Sequence, residues 1–502
     1  MGPGASPTRH KAQQNILRRP ADMASKAPPQ ESHNAMSLSR IAIASVLALS
    51  PLPALAAAPA GYPAAEAQVL DLATKSIAIR SVRGENNRTI DVAKLYKQAL
   101  LAGGWKDSDI EITPVDDTAY IIATWPGSDP KLKPLVISGH MDVVEAKPSD
   151  WKRDPFTPVV EDGILYGRGA TDMKFNGAVA VSSLIELRRS GFKPRRTIVI
   201  EFSGDEETVM KTTGLLSEKL KNAELVINAD AGGGKLDEAT GKPLYWVWDG
   251  AEKTYADFKL EVTNPGGHSS APRPENAIVQ LAQALVKVGA YKFPAEQNAL
   301  TKAYFTQAAP FEADPKIAAA MRAFAASITD ENAIAVLRAN PATVGKVGTT
   351  CVPTMADAGH ALNALPQRAA AYINCRIFPG HTRAEIMDEL AKVVNQPEVK
   401  LIDVTEGSFE TAASPMRADF VAASTKAIRK AWGKDLAVVP SQSSGATDSM
   451  YFRRLGIPAY GASSTFTKDS EEFSHGLNER VRLENIRPGV TYYLSLLTDL
   501  AK

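Results

Sequence analysis

The sequence predicts an α/β protein with a mostly parallel central sheet, whose chain is split by an inserted α+β domain of ferredoxin-like order. Three observations predict it. From Tyr62 to about Gly250, continuous apolar runs alternate with stretches of helical spacing. Near Ala251 the pattern changes to half-exposed alternation, and the first pattern resumes at about Ala412. At 502 residues the chain is also too long for one ordinary core.

The runs Leu135–Ser138, Thr197–Phe202 and Leu225–Asn228 are apolar throughout, as expected of strands buried on both faces. Between them, Gly177–Arg189 has helical spacing (Val179, Val181, Leu184, Leu187) and stops at Gly191. That β-α-β order puts the loops after the strands on one edge. The inserted part begins with Lys253–Thr263, read as a strand with Tyr255, Phe258, Leu260 and Val262 on its apolar side. A helix follows at Asn276–Val288, then strands at 347–358 and 367–378, a helix at Thr382–Val394 and a strand near Val399–Val404. This is the split β-α-β order. Ala-rich helical sequence interrupts it at 292–345, notably Ile317–Ile328 and Glu331–Asn340. The expected organisation is 62–250, 251–410 and 411–502, with the middle part inserted.

The first 56 residues read differently. Met36–Arg40 is a short basic segment, Ile41–Leu49 an apolar one, and Ala54–Ala56 a small-x-small cleavage site. We read 36–56 as an export signal, and 1–35 as a disordered or mis-assigned leader with Met36 as the start. Pro51 and Pro53 break the apolar stretch, against a membrane anchor. A periplasmic or secreted protein is expected. Beyond residue 56 the chain holds 51 basic and 54 acidic residues, a balance that gives no reason to invoke nucleic acid. Two cysteines exclude a thiolate zinc site. A hairpin centred on Asn363 places Cys351 opposite Cys375, so they either pair or remain buried thiols.

Five segments end in metal-binding residue types: Gly139–Asp142, Gly167–Asp172, Asp205–Glu207, Asn228–Asp230 and Ser474–Gly476. His140 and Asp142 point the same way at a strand end. A ligating imidazole usually needs a carboxylate on its other nitrogen, so His140 is read as ligand and Asp142 as its partner. Asp172 leaves a glycine turn and can bridge two cations; without them it would be a helix cap. Glu206 and Glu207 can divide labour, one as base and one as ligand. Asp230 and His475 complete the set. Any one segment alone is weak evidence. The ordered set is strong, because each supplies a different part of one chemistry.

On these residues the chain resembles the co-catalytic zinc metallopeptidases of peptidase family M-twenty, which include glutamate carboxypeptidases, aminoacylase, carnosine dipeptidases and succinyl-diaminopimelate desuccinylase. The likeness spans roughly residues 65–500. It implies a zinc-peptidase catalytic domain and an inserted lid and dimerisation domain. By resemblance, two zinc ions per subunit are held by His140 and Asp230 on one side and Glu207 and His475 on the other, with Asp172 between them. Glu206 is then the general base, and Asp172-Met173 a cis peptide. Asn264–Ser270 resembles the segment of a lid histidine, His268, that reaches a partner subunit's site and implies a homodimer. Asn363 and Arg376 match substrate-contacting positions, Arg376 that of the free carboxylate. Gly445, in Ser444–Asp448, matches a loop facing the substrate. His360 and His381 match no ligand position. The segment 292–345 departs from the family pattern and could cap the lid edge.

The leading expectation is a carboxypeptidase or dipeptidase acting on small peptides with a free C-terminal carboxylate. An N-acyl amino acid amidohydrolase is the alternative, because both use the same core and Arg376. A catalytically inactive binding relative would require a lost ligand or base, and none is lost. The nitrogen and oxygen ligand set also accepts cobalt or manganese.

Overall fold

The computed structural model describes residues 61–502. The leader and export-signal readings therefore lie outside the described residues. No described helix is long and apolar enough to cross a membrane.

A ten-stranded sheet forms the larger layer. At its centre Ile198–Phe202, Leu135–Ser138, Leu225–Asn228 and Ala459–Gly461 lie side by side and parallel. Alternation along these strands splits their side chains between two faces. Leu135 and Ile137 join a core with the helices Pro63–Ile77, Lys174–Arg189 and Ile486–Leu500. Val136, Val199 and Val226 meet Leu216 and Phe452, from the helices Lys211–Lys219 and Ser449–Arg454, on the other. Burial on both faces explains why the runs read as continuously apolar. Antiparallel strands flank this centre, Thr118–Trp125 at one side and Pro243–Glu252 at the other, and Ala437–Ser443 pairs in parallel with the latter.

A separate four-stranded antiparallel sheet follows. Its spatial order is Thr350–Ala358, Arg368–Ile377, Thr254–Thr263, Lys400–Asp403. Numbered along the chain this is 2-3-1-4, the ferredoxin-like arrangement. The helices Ala277–Ala290 and Arg383–Val394 cover one face through Phe258, Leu260, Ile373 and Leu390. Asn276 caps the first helix, and Thr382 with Glu385 forms a capping box on the second. Tyr255 falls on the opposite face from Phe258, Leu260 and Val262, because an odd position cannot share a strand face with even ones. That helix-free face also carries Asp257 and Arg376. Cys351 lies opposite Cys375 in the register, and the two form a disulfide.

The inserted helices Ala299–Ala308, Pro315–Ala326 and Glu331–Ala339 do not rest on the ferredoxin-like sheet. Phe305, Met321, Phe324 and Leu337 pack on Tyr245 and Val439 of the large sheet's strands.

Candidate metal centre and substrate cleft

The site forms where the central strands end. His140 stands two residues beyond Ser138, Asp205–Glu207 three to five beyond Phe202, and Asp230 two beyond Asn228. A bridge between His140 and Ser203 extends the parallel pairing past the strands and holds the first two segments together. Strand adjacency thus converts positions up to 90 residues apart into neighbours.

Asp172 lies between the two imidazoles. Its Oδ1 is 3.0 Å from His140 Nε2 and its Oδ2 is 3.3 Å from His475 Nε2. His140 Nε2 is also 3.5 Å from Asp230 Oδ1, and His475 Nε2 is 2.9 Å from Glu207 Oε2. His140, Asp172 and Glu207 offer ligand atoms within 4.8 Å of one another. These five residues fit a pair of cations. Among the described residues Glu207 Oε1 is buried without a hydrogen-bond partner, and three carboxylates converge on two imidazoles. Burial and the facing Asp172 carboxylate push Asp230 up to about 7. Burial lowers His140, but the facing Asp230, Asp142 and Asp172 outweigh it and hold the imidazole well above its ordinary range. Hydrogen bonds to Asp172 and Glu207 raise His475 to about 10.

Asp142 does more than orient an imidazole. His140 Nδ1 is 3.0 Å from the Asp142 main-chain oxygen and 3.5 Å from Oδ1. The two carboxylate oxygens accept the backbone N–H groups of Glu206 and Glu207, each at 3.1 Å. One buried carboxylate therefore ties the first ligand to the acidic pair. Glu206 is itself buried, at 8% exposure, and burial pushes its carboxyl well above the ordinary range.

The turn at Gly167–Asp172 is held by a residue that the sequence reading missed. Glu479 accepts N–H bonds from Gly169 (3.1 Å), Thr171 (2.7 Å) and Asp172 (2.9 Å), and pairs with the buried Arg168 at 2.7 Å. Positive φ at Gly167 (151°) and Gly169 (92°) lets three amides converge on it. The Asp172-Met173 peptide is cis. The available signal was a carboxylate four residues after His475.

Two cavities flank this centre and share Asp172 and Asp230. One, of about 560 Å³, is lined by Glu206, Glu207, His475, Gly445, Tyr255 and Arg376. Arg376 lies 4.8 Å over the Tyr255 ring and forms no ion pair among the described residues. Tyr255 Oη and Asn374 Nδ2 both donate to Asp257, fixing the neighbouring carboxylate at 2.5 and 2.9 Å. The other cavity, of about 430 Å³, is lined by Asp249, Ser441, Lys346 and Tyr304 among others. Tyr304 comes from the inserted helices and Lys346 directly follows them.

His268 and Asn363 line neither cavity. They lie together at an exposed edge of the ferredoxin-like unit, where Gly267–His268 pairs with Ala364–Leu365 and Asn363 O accepts the Ser269 N–H. His381 pairs with Glu296 at 2.6 Å, and His360 is exposed.

A sheet covered by helices on both faces, with paired imidazoles and carboxylates at its strand ends and an inserted sheet beside them, defines a hydrolase of the metallopeptidase class. The chain matches the description "Peptidase family M20/M25/M40" over residues 136–499, and it belongs to that family. It is 27% identical over 409 residues to the probable carboxypeptidase S-like 2 of Dictyostelium discoideum, spanning 76% of this chain and 74% of that protein. It is 28% identical over 394 residues to the N-fatty-acyl-amino acid synthase/hydrolase PM20D1 of Mus musculus, spanning 74% and 75%. The fold is similar to that of the M20 family metallo-carboxypeptidase Sso-CP2 from Sulfolobus solfataricus. The TM-score is 0.66 at 20% identity, covering 86% of this chain and 98% of the other.

Proposed function

We propose that this hydrolase is an exported dinuclear zinc enzyme that cleaves the amide bond preceding a C-terminal amino acid with a free carboxylate, as a carboxypeptidase or dipeptidase. The observation that carries this reading is Arg376. Its guanidinium, which forms no ion pair among the described residues, lines the same cavity as Glu206 and the ligand residues, and a planar fork of donors suits a carboxylate.

His140 with Asp230 would hold one ion, Glu207 with His475 the other, and Asp172 both. Two such cations supply Lewis acidity at a carbonyl and acidify water at neutral pH. Arg376 binds the substrate carboxylate and thereby aligns the scissile amide with Glu206. Glu206 takes the proton of the attacking water at its carboxylate and returns it to the leaving amine. Asp142 keeps that carboxylate in place by holding the backbone of Glu206 and Glu207. A homodimer completes the scheme, with His268 of one subunit reaching the other's site as an oxyanion donor. Its support is the exposed edge strand Thr350–Ala358, where Val352 and Met355 are 55% and 67% exposed.

Likeness to the mouse N-fatty-acyl-amino acid synthase/hydrolase favours a second reading, hydrolysis of N-acyl amino acids, which presents the same carboxylate to Arg376. A panel of dipeptides, their C-terminal amides and N-acyl amino acids, assayed with zinc, cobalt and manganese, tests both. Product masses identify the bond. Hydrolysis only of substrates with a free C-terminal carboxylate is expected, and equal turnover of the amides would overturn the reading. Recovery of activity in the periplasmic or secreted fraction is the matching expectation for export.

A further inference from the structure

The cavity beside the inserted helices contains a carboxylate with an unpaired oxygen. Asp249, on the strand Pro243–Glu252, is 7% exposed, and its Oδ1 has no hydrogen-bond partner among the described residues. The strand alternates: Trp246 and Trp248 enter the main core, while Tyr245 and Asp249 face the other way. Tyr245 is covered by the inserted helices. Asp249 comes four residues later, lining the cavity.

The nearby cation does not neutralise it directly. Lys346 donates to Ser441 Oγ at 2.9 Å and to the Gln442 carbonyl at 2.7 Å, and lies 4.6 Å from the Tyr304 ring centroid. Among the described residues it pairs with no carboxylate. Ser441 is the register partner of Asp249, so the lysine is held next to the acid without meeting it. Burial pushes the Asp249 carboxyl up, and the Lys346 charge, the Ser441 hydroxyl, the Arg453 charge and the Gly232 N–H draw it only partly back.

Resting on the amide-hydrolase reading above, we propose that Asp249 determines specificity on the acyl side of the scissile bond by accepting an N–H donor of the substrate. Substrates are then peptidyl, not alkanoyl. Arg376 and the lid-side cavity take the carboxylate half of the substrate. The cavity holding Asp249 shares Asp172 and Asp230 with the metal centre, so it takes the half attached to the attacked carbonyl. An alkyl chain seated there would lie against a buried carboxylate, one oxygen of which has no partner among the described residues, and would bring it no donor. Sites built to bond a polar group reject analogues lacking it far more strongly than analogues of the wrong size. The donor is either the free ammonium of a dipeptide or the amide N–H of a longer peptide.

The test is kcat/KM of the metal-loaded enzyme on three substrates with the same C-terminal residue. These are a free dipeptide, its N-acetyl form and an N-alkanoyl amino acid of matched length. Wild type is expected to favour the better peptidyl substrate over the alkanoyl one by about 10²-fold or more. Asp249→Leu should reduce that preference at least tenfold, by roughly the loss of one charge-assisted bond, with metal content unchanged. Asp249→Ala serves the same purpose if the leucine variant does not fold. Asp249→Asn separates the two donors: a fall on the free dipeptide alone identifies an ammonium, and equal retention on both peptidyl substrates a neutral N–H. A preference that survives both apolar variants, or a wild type that prefers the alkanoyl substrate, overturns the proposal. A wild type inert on all three overturns the amide-hydrolase reading itself.

Discussion

The two cavities flanking the metal centre are built by different means. The lid-side cavity takes Tyr255 and Arg376 from the helix-free face of the ferredoxin-like sheet, and its other wall from the strand-end loops that carry the ligands. The other takes Asp249 and Ser441 from the large sheet itself, and Tyr304 and Lys346 from the insertion and its exit. One wall is delivered by a separate folding unit with its own core. The other is part of the catalytic layer, closed by helices that share its hydrophobic core. On the proposed assignment of the two cavities, recognition of the carboxylate end is separable from the chemistry, whereas recognition of the acyl end is embedded in the fold that performs it.

The largest expected effect is common to both cavities. Glu206→Gln should retain metal and lose roughly 10²–10⁴ in kcat on every substrate class, the usual contribution of a general base. Glu207→Gln should lose metal as well, which metal analysis beside kcat distinguishes. A Glu206→Gln rate above about a tenth of wild type would place the base elsewhere. Next, His268→Ala should lower kcat by roughly 10²–10³, as for loss of one oxyanion donor, with metal intact. Mixing it with Glu206→Gln chains should restore activity, since a mixed dimer holds one complete site. Subunit exchange without recovery would remove His268 from the partner's site.

Arg376→Lys sharpens the contrast between the two ends. It should raise KM by about tenfold or more for free carboxylates, since a lysine cannot form the two parallel bonds of a guanidinium. C-terminal amides should change little, and an equal loss on both would separate Arg376 from carboxylate recognition. The smallest effect on activity is expected from Cys375→Ser. Opening a 24-residue loop should cost about 3 kcal/mol of stability, read as a lowered denaturant midpoint, with kcat nearly unchanged if the lid acts as a separate unit.

What was legible in the sequence follows the same division. The central strands could be found because burial on both faces leaves a continuous apolar run, and the ligand residues because each stands just past such a run. The cysteine register could be found because hairpin pairing is arithmetic. Glu479 could not, because its three N–H partners lie more than 300 residues away and no local pattern marks the contact. Asp249 follows three aromatic residues in its strand with no local pattern to mark it, and its environment depends on where helices from another segment stop. Tyr255 lies on the face opposite Phe258, Leu260 and Val262 and not with them as expected, because position 255 is out of phase with 258 in a period-two strand. Helical content in 292–345 was legible, but its docking surface was not: Ala-rich helices pack on whatever apolar face the fold presents, and here that face is the large sheet.

Glu479 also fixes an order in time. Synthesis runs from the amino end, so His140, Asp172, Glu206, Glu207 and Asp230 are all made well before His475 and Glu479. Until Glu479 arrives, the amides of Gly169, Thr171 and Asp172 and the Arg168 guanidinium have no acceptor, and the shared carboxylate has no fixed direction. His475 arrives in the same later segment. The arrangement that brings the acidic residues between two imidazoles therefore waits on that segment, and without it the acidic residues lack the partner that aims Asp172.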